Sequence, residues 1–429
     1  MDISIFERGS IMKKKITAWV LLFAISLGLW GCGSDVPESH PSVGAPISPG
    51  ETIGALELLS AIPRQPVEEK APDEKLSSSM TDFSLSLLQN SYVPGENTVL
   101  SPYSLYIALS MTANGAQGDT LSQMEALLGL SSEELNSYAL HLQSVGGKEL
   151  SEANSLWLRD TLSVQETFLQ TLKNYYSAQV YSSPFDSSTL EAMNSWIKDR
   201  TNDRIPKALD QMNPNAMLYL INALTFDGRW KTVYNKQDVT NQVFYSSHGE
   251  QTVEMMTSTE SLYLDDGQAT GFLKDYEGGQ YSFMALLPKE GLSLEDYLSS
   301  LTAEALLHAI EEAKVTSVVA TMPKLQTETS LELQDILKSM GMVDAFTMDA
   351  DFSGINGRED LCISRILHKT YLKVDEAGTQ AGAVTIEEFV TKGIAVNQEF
   401  VLLNRPYLMG IYDKVNGCFL FLGTVENPG

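Results

Sequence analysis

The sequence predicts an α+β fold, and three kinds of pattern indicate it. Signals for the start of a helix are concentrated in the first half of the chain: Ser101 with Pro102, Thr120 with Gln123, and Ser131 with Glu134. Long apolar runs typical of buried strands follow, for example at 217–226 and 281–288. A stretch of roughly twenty residues without a regular pattern then precedes the last strands, and such long connections are uncommon unless they have a function.

The same patterns place the individual elements. Helical faces are expected around Phe83, Leu87 and Leu88, and over Leu190–Thr201 with Trp196 and Ile197. Ser330 is expected to cap a helix that carries Leu333, Ile336, Leu337 and Met340 and ends at Gly341. Strands are expected at Ser151–Leu158, Met217–Phe226, Tyr281–Pro288, Val315–Pro323 and within Glu399–Tyr412.

Length and charge limit the classes of function. A chain of 429 residues holds one large domain or two or three ordinary ones. Lys and Arg number 29 against 55 Asp and Glu, which gives a net charge of −26. This acidity argues against nucleic acid and anionic lipid surfaces as partners. Solubility is the simplest interpretation of the charge.

The N-terminus predicts a secreted, lipid-anchored chain. Lys13–Lys15 precede an apolar run, Ile16–Trp30, that is short for a membrane-spanning helix. Leu29–Cys32 resembles a bacterial lipoprotein box, which implies removal of residues 1–31 and lipidation of Cys32. The mature chain then lies near −28, because that segment holds four basic and two acidic side chains. The expected location of this chain is the outer membrane or the cell surface of a bacterium. The leaflet and the start codon, Met1 or Met12, stay open.

The remaining cysteines and the histidines predict no metal site. Cys362 and Cys418 both lie in apolar, strand-like sequence, so two buried thiols are favoured over a disulfide. Neither Cys-x-x-Cys nor His-x-x-x-His occurs, and the five histidines are scattered. No cofactor is expected.

A flexible tether is expected between the anchor and the folded domain. Residues 32–75 are rich in proline, glycine, serine and glutamate. Within them, Gly54–Ala61 would make at most one weak helical turn. The folded domain is expected over 76–429.

The most informative stretch is Lys373–Pro406. It begins as a strand, with Tyr371, Lys373 and Asp375 alternating against Leu372 and Val374. Small side chains then stand at every second position, which suits a strand that slots between two others because alternate side chains share a face: Thr379, Ala381, Ala383 and Thr385. The simpler interpretation is an exposed loop between two strands.

The segment EAGTQAGAVT resembles the hinge of inhibitory serpins, with Glu376, Gly378 and Thr379 at matching positions. Gln380 stands where Glu is usual, and Gly382 interrupts the alanines. Further stretches resemble the same family in the same order, so the resemblance covers about Leu76–Gly429: NTVLSPYSLYIALSMTANGAQGDTLSQM, the helix at 190–201, INALTFDGRW, MPKLQTETSLELQDILKSMGMVDAF with ADFSGI, and the C-terminal NRPY and 419–428.

This resemblance implies a serpin fold and a protease inhibitor. The fold has a large, mostly antiparallel central sheet A, sheets B and C, about nine helices and an exposed reactive-centre loop at about 377–403. The loop would be cleaved at Lys392–Gly393, and segment 378–391 would insert into sheet A and trap the acyl-enzyme. Trp230 would lie where the loop enters the sheet, although an ordinary core tryptophan also fits.

The expected partners are serine endopeptidases, trypsin-like first because Lys392 suits an acidic specificity pocket. Elastase- or subtilisin-like enzymes could use Thr391 or Val390, and chymotrypsin-like enzymes Phe389; cysteine proteases are a further option. Such adjacent bonds predict broad specificity. A simple solvated lysine is the alternative for Lys392. Glu387 would point inward after insertion and was expected to reach solvent near the far end of the sheet. A monomer is expected.

Two other classes of function stay open. A non-inhibitory serpin-fold protein would be cleaved as a substrate or serve in binding. An unrelated surface enzyme or solute-binding lipoprotein would show ligand-dependent turnover. Ser195–Lys198 formally matches Ser-x-x-Lys, but the Ser-Asp-Asn and Lys-Thr-Gly partners of a penicillin-recognising enzyme are missing from the sequence.

Overall fold

The computed structural model describes residues 51–52, 54–207, 209–379 and 398–429. Ten α-helices lie in these ranges: α1 Glu74–Ser91, α2 Pro102–Ala113, α3 Gly118–Leu128, α4 Ser132–Ser144, α5 Glu166–Tyr175, α6 Ser187–Arg200, α7 Leu294–Ser300, α8 Ala303–Glu311, α9 Gln334–Ser339 and α10 Ser353–Asn356. Two short 3₁₀ helices occupy Lys236–Asp238 and Asp344–Phe346.

The strands of the described residues are numbered in chain order. They are β1 Glu51–Thr52, β2 Ala55–Glu57, β3 Thr98–Leu100, β4 Leu150–Arg159, β5 Gln179–Ser183, β6 Leu218–Phe226, β7 Gly228–Arg229, β8 Val239–Ser246, β9 Gly249–Asp265, β10 Ala269–Asp275, β11 Tyr281–Pro288, β12 Lys314–Pro323, β13 Leu325–Glu332, β14 Arg365–Val374, β15 Gly378–Thr379, β16 Gln398–Leu402, β17 Tyr407–Asp413 and β18 Cys418–Val425.

These strands form two nine-stranded sheets. The first has the order β1-β2-β5-β4-β6-β14-β15-β7, with β13 paired to β14. It is mostly antiparallel, but two pairs are parallel: β4 with β5, and β6 with β14 at its centre. The second has the order β16-β12-β9-β10-β11-β17-β18-β3, with β8 paired to β9. The expected sheets B and C are continuous here, because the 17-residue β9 pairs with β8 over residues 249–256, with β12 over 255–263 and with β10 over 262–265.

The first sheet is covered on both faces. On one side lies the main core, which includes α1 and α2. On the other side α6 lies across the sheet, with Trp196 and Ile197 packed against Trp157 and Tyr219. All nine residues of β6 are therefore buried, as expected for a continuous apolar strand between two layers.

Several predicted elements are confirmed. The strand at Tyr281–Pro288 has the predicted bounds, and the Ser131–Glu134 capping box is present at the start of α4. The helix predicted at Leu190–Thr201 begins three residues earlier, at Ser187, where Asp186 is the cap. Ser101 caps α2, with Pro102 in the first turn.

Two predicted helix caps are wrong. α3 starts before Thr120, whose hydroxyl instead accepts a hydrogen bond from the backbone of Asp351, while Gln123 accepts two from the backbone of 343–344. Ser330 lies inside β13, because pairing with β14 extends that strand through Glu332. In both places a sequence-distant segment takes up the side chain or backbone that would have formed the cap.

The tether prediction is wrong for residues 54–66. β2 pairs with β5 at the edge of the first sheet, and the backbone N–H of Leu58 donates to Val180 at 2.7 Å. Leu59 is 3% exposed. Gln65 donates its backbone N–H to the Asn174 side chain at 2.9 Å. The apolar residues between the prolines are sufficient to dock this segment, so Gly54–Ala61 forms a strand and turn instead of a helical turn.

Removing this docked segment is expected to destabilise the fold. A chain that starts at Val67 loses the burial of Leu59 and the pairing of β2, together about 2–4 kcal/mol of unfolding free energy. Urea unfolding of the two chains measures the difference. A chain that starts at Glu51 is the control and should match the mature chain; equal midpoints for all three would contradict the role of the segment.

The two cysteines are free thiols. Cys418 is buried in β18, as predicted, and burial raises the pKa of its thiol well above the usual range. The prediction for Cys362 is wrong in part, because this residue is half-buried in an irregular segment before β14. Within the described ranges no helix combines the length and apolar character needed to span a bilayer.

Candidate functional site

The parallel pair at the centre of the first sheet is the feature on which the site is built. β6 and β14 are hydrogen-bonded neighbours from Tyr219 opposite Arg365 to Leu224 opposite Thr370. Beyond Thr370 the two strands separate. β14 continues to Val374, whereas β6 ends at Phe226 and is followed by β7. This end of the sheet is called the hinge end below.

A two-residue strand fills the gap at the hinge end. β15 pairs antiparallel with β14 through Thr379 opposite Val374. On its other side it pairs antiparallel with β7, with Gly378 opposite Arg229 and Thr379 opposite Gly228. The sheet is therefore already split over this short length, and a segment running in the opposite direction to both neighbours lies in the split.

Gly378 is required by the closeness of the two backbones. A methyl group at this position would overlap the carbonyl oxygen of Gly228. Only glycine allows this approach without moving β7. The residue that the sequence places at the hinge is thus the residue that the packing demands.

Trp230 and Tyr276 hold the turn that leads into β15. Trp230 is 1% exposed, and its indole N–H donates to the carbonyl of Asp375 at 2.9 Å. Its ring stacks on Tyr276 with 4.4 Å between centroids. The hydroxyl of Tyr276 lies 2.5 Å from that of Thr379, which is itself 1% exposed. Trp230 therefore lies directly beside the hinge.

Charged groups fix the same turn from the outside. Lys324 forms ion pairs with Glu376 at 2.6 Å and with Glu254 at 3.1 Å. Burial opposes its charge, but the two carboxylates outweigh burial and raise the pKa of Lys324. The backbone N–H of Ala377 donates to the Asp375 carboxylate at 2.9 Å. The turn is thus tied to the body on both sides before β15 begins.

A buried polar network crosses the seam between β6 and β14. The backbone N–H of Ser101 donates to Nε2 of His368 at 3.0 Å, so Nδ1 carries the proton and donates to Asn222 Oδ1 at 3.0 Å. Asn222 also accepts from the Ser104 hydroxyl and donates to Asn154. Burial lowers the pKa of His368 to about 4. The imidazole is therefore neutral near pH 7.

This histidine predicts a defined pH dependence of stability. The unfolded chain binds a proton on His368 below about pH 6.5, whereas the folded chain does so only near pH 4. The stabilisation is complete above pH 6.5 and is lost as the pH falls toward 4, by roughly 3 kcal/mol at most. Urea unfolding at pH 7 and 4.5 measures it, and His368→Gln should flatten this part of the profile. An unchanged slope in the variant would contradict the assignment.

Several predicted site residues lie outside the described residues: Cys32, Ala381, Ala383, Phe389, Val390, Thr391, Lys392 and Gly393. The structure brings the other hinge residues together with Trp230. Sequence reasoning missed Tyr276, Lys324 and the His368 network. Only Asn222 gave a signal, as a polar residue within an apolar strand. In the described ranges no group of three or more potential ligand side chains could hold a metal.

Comparison with known proteins assigns the chain to a family. The model described as Serpin (serine protease inhibitor) matches residues 78–428. The chain belongs to the serpin family. Serpin B3 of Homo sapiens is 30% identical over 388 residues, which cover 82% of this chain and 99% of that protein. Intracellular coagulation inhibitor 2 of Tachypleus tridentatus is 29% identical over 371 residues, covering 82% and 91% of the two chains.

Solved serpin structures match in both fold and conformation. The crystal structure of tengpin, a thermophilic serpin, in the native state has a TM-score of 0.84 at 41% identity, covering 87% of this chain and 100% of that chain. Tengpin in the latent state has a TM-score of 0.74 at 40% identity, covering 83% and 99%. The structure is thus more similar to the native form. Serpins are generally protease inhibitors rather than enzymes, and their targets are proteases.

Proposed function

We propose that this serpin is a suicide-substrate inhibitor of serine endopeptidases, cleaved at Lys392–Gly393. The observation that carries the proposal is the split at the hinge end, where Gly378–Thr379 already lies between β14 and β7. Segment 378–391 would complete this strand after cleavage.

The strand pairing supports one continuous register for insertion. Thr379 lies opposite Val374 on one side and Gly228 on the other. In an antiparallel strand that continues from Thr379, each following residue would face the preceding residue of β14. On the other side it would face the preceding residue of the segment made of β7, Asp227 and β6. Residue 388 then falls opposite both Arg365 and Tyr219. These two residues are now each other's partners. One inserted strand therefore satisfies both neighbours without a shift in register.

Insertion changes the hydrogen bonding of the sheet in a favourable direction. The parallel ladder between β6 and β14 would be replaced by two antiparallel ladders, and antiparallel pairing is slightly more stable per residue. Loop insertion of this kind releases energy stored in the uncleaved form. The segment spans fourteen residues, or roughly 45 Å of extended chain.

The side chains that would enter the core are small, and the register assigns their neighbours. Ala381 falls opposite Leu372 and Phe226, both buried. Thr385 falls between His368 and Asn222, whose present hydrogen bond insertion would separate. Its hydroxyl can accept from Nδ1–H of His368 and donate to Asn222 Oδ1, which would replace the hydrogen bond that insertion breaks.

The chemistry of the trap belongs to the protease. Its serine Oγ attacks the carbonyl carbon of Lys392, the bond to the Gly393 nitrogen breaks, and the Gly393 amine leaves with the proton from the serine. The ester that remains joins protease and serpin. Insertion would carry Lys392 from the hinge end past Leu218 at the opposite end of β6. Water then fails to release the ester because the protease active site is distorted.

We further propose a lipid anchor on Cys32 that places the chain on the bacterial cell envelope. The hairpin turn at Gly54 shows at which end of the first sheet the described chain begins. β2 is antiparallel to β5 with Leu56 opposite Ser182, which puts the turn at the end of the first sheet opposite the hinge. The described part of the chain therefore enters the first sheet at the end opposite the hinge end.

Mixing the mature chain with trypsin is expected to give a covalent complex. A band at the summed mass that survives boiling in denaturant indicates the ester, and sequencing of the released peptide should begin at Gly393. Accumulated cleaved chain with active trypsin would identify a substrate and overturn the inhibitor proposal. Cleavage elsewhere with the complex present would overturn only the position of the bond.

Broad specificity through Thr391, Val390 and Phe389 is part of the same proposal. Lys392→Ala is expected to lose inhibition of trypsin by at least about a hundredfold, since the specificity pocket loses its charge partner. Inhibition of subtilisin should persist, because that enzyme would use an adjacent bond. Equal loss toward both proteases would contradict the use of adjacent bonds.

A further inference from the structure

The edge of the second sheet presents an apolar face beside the proposed reactive bond. β16 pairs only with β12 among the described strands, so it is an edge. Phe400 is 71% exposed and Leu402 is 40% exposed. Val401, between them, is 2% exposed and faces the core. The alternation therefore places both large apolar side chains outward on the same face.

Neighbouring strands extend this face without a charge. Phe400 lies opposite Val319, which lies opposite Thr259. Leu402 lies opposite Thr321, which lies opposite Thr257, and the two threonine hydroxyls are 3.0 Å apart. We call these six residues the β16 face; Thr321 is itself only 7% exposed, so the other five supply the surface. In a chain with 84 charged residues and a net charge of −26, an uncharged strip three strands wide is distinctive.

Single exposed apolar residues need no explanation, but the position of the β16 face does. Gln398 is the sixth residue after Lys392, so the reactive bond lies within about 20 Å of the start of β16. A protease of about 220 residues has a radius of gyration of about 17 Å. A protease whose active site holds Lys392 is therefore close enough and large enough to contact β16.

We propose that the β16 face is a docking surface for the body of the target protease, separate from the residues read by its active-site pockets. The proposal rests on the proposed inhibitory function and adds a second point of contact. Phe400 and Leu402 offer apolar area that is now in water, and burying this area against a protease would favour association. Absence of charge permits contact with proteases of either net charge. The expected effect is on the rate of association.

The test compares the mature chain with Phe400→Ser/Leu402→Ser in the inactivation of trypsin. The second-order rate constant is expected to fall about tenfold, with the number of serpin molecules consumed per trypsin and the thermal midpoint unchanged. The single variant Phe400→Leu, which keeps an apolar side chain at this position, should retain most of the rate constant of the mature chain. Met348→Ser/Val415→Ser is the matched control, because these residues are 90% and 59% exposed away from β16.

Each other outcome overturns a specific statement. Equal rate constants for the mature chain and the double variant, with the covalent complex present, would overturn the docking surface alone. Absence of any complex in the mature chain would overturn the proposed function and the docking surface with it. Sedimentation of the mature chain as a dimer and of the double variant as a monomer would assign the face to a second copy of the chain and overturn docking of the protease.

Discussion

Ala381→Arg is expected to convert the inhibitor into a substrate. The register that begins at Thr379 places residue 381 opposite Leu372 and Phe226, which are 1% and 3% exposed. A guanidinium there would enter the apolar core without a partner, which costs several kcal/mol. Each 1.4 kcal/mol added to the activation free energy of insertion slows insertion tenfold relative to hydrolysis of the ester. Subtilisin, which does not select for arginine, should therefore be released active after cleaving nearly every molecule of the variant.

Gln380→Arg provides the matched control for this substitution. Residue 380 falls on the opposite face of the inserted strand, beside Lys373, whose side chain is 38% exposed. The same guanidinium would then reach solvent. Titration of subtilisin, which the new arginines do not attract, against each chain gives the number of serpin molecules consumed per trapped protease. A ratio near that of the unmodified chain for Ala381→Arg would show that the register does not describe insertion.

Strong local patterns allowed most elements to be predicted. The strand Tyr281–Pro288 has eight buried residues, and its apolar run ends at a proline that blocks further pairing. The sequence also predicts a hinge at Gly378, because this glycine and the small residues after it form a pattern within one short segment. Local patterns of this kind need no information about the partner.

Features made by distant segments were not predictable in the same way. The extension of β13 through Ser330 depends on β14, and the hydrogen bonds of Thr120 and Gln123 depend on residues 343–351. Tyr276 contacts Thr379 across 103 residues of sequence. The docking of 54–66 depends on β5 and α5. In each case the local sequence is compatible with two structures, and a tertiary contact selects one.

The same register assigns a position to Glu387 in the inserted strand. From the sequence alone, this residue is expected to reach solvent near the far end of the sheet. Continued from Thr379, the register places Glu387 opposite Ile366 and Leu220, both 0% exposed and on the face of the main core. A carboxylate at that position opposes insertion, because its burial without a partner is costly. Glu387 would thus act against the trap that the rest of the segment favours.

Glu387→Val is accordingly expected to strengthen the trap. Removing the carboxylate should stabilise the cleaved, inserted form by several kcal/mol and so raise its thermal midpoint. It should also bring the number of serpin molecules consumed per trapped trypsin closer to one. Glu387→Gln should give a smaller gain, because the amide still needs hydrogen-bond partners. Thermal unfolding of the cleaved chains measures the order of the three.

The adjacent Glu388 makes this prediction specific to the register. Residue 388 falls on the opposite face, beside Arg365, which already pairs with Glu332, so its carboxylate would share that cation on insertion. Glu388→Val should therefore leave the midpoint of the inserted form unchanged or lower it by up to about 1 kcal/mol of stability. Two neighbouring glutamates then respond in opposite directions to the same substitution. Equal shifts for both would show that the loop does not alternate faces as the strand pairing requires.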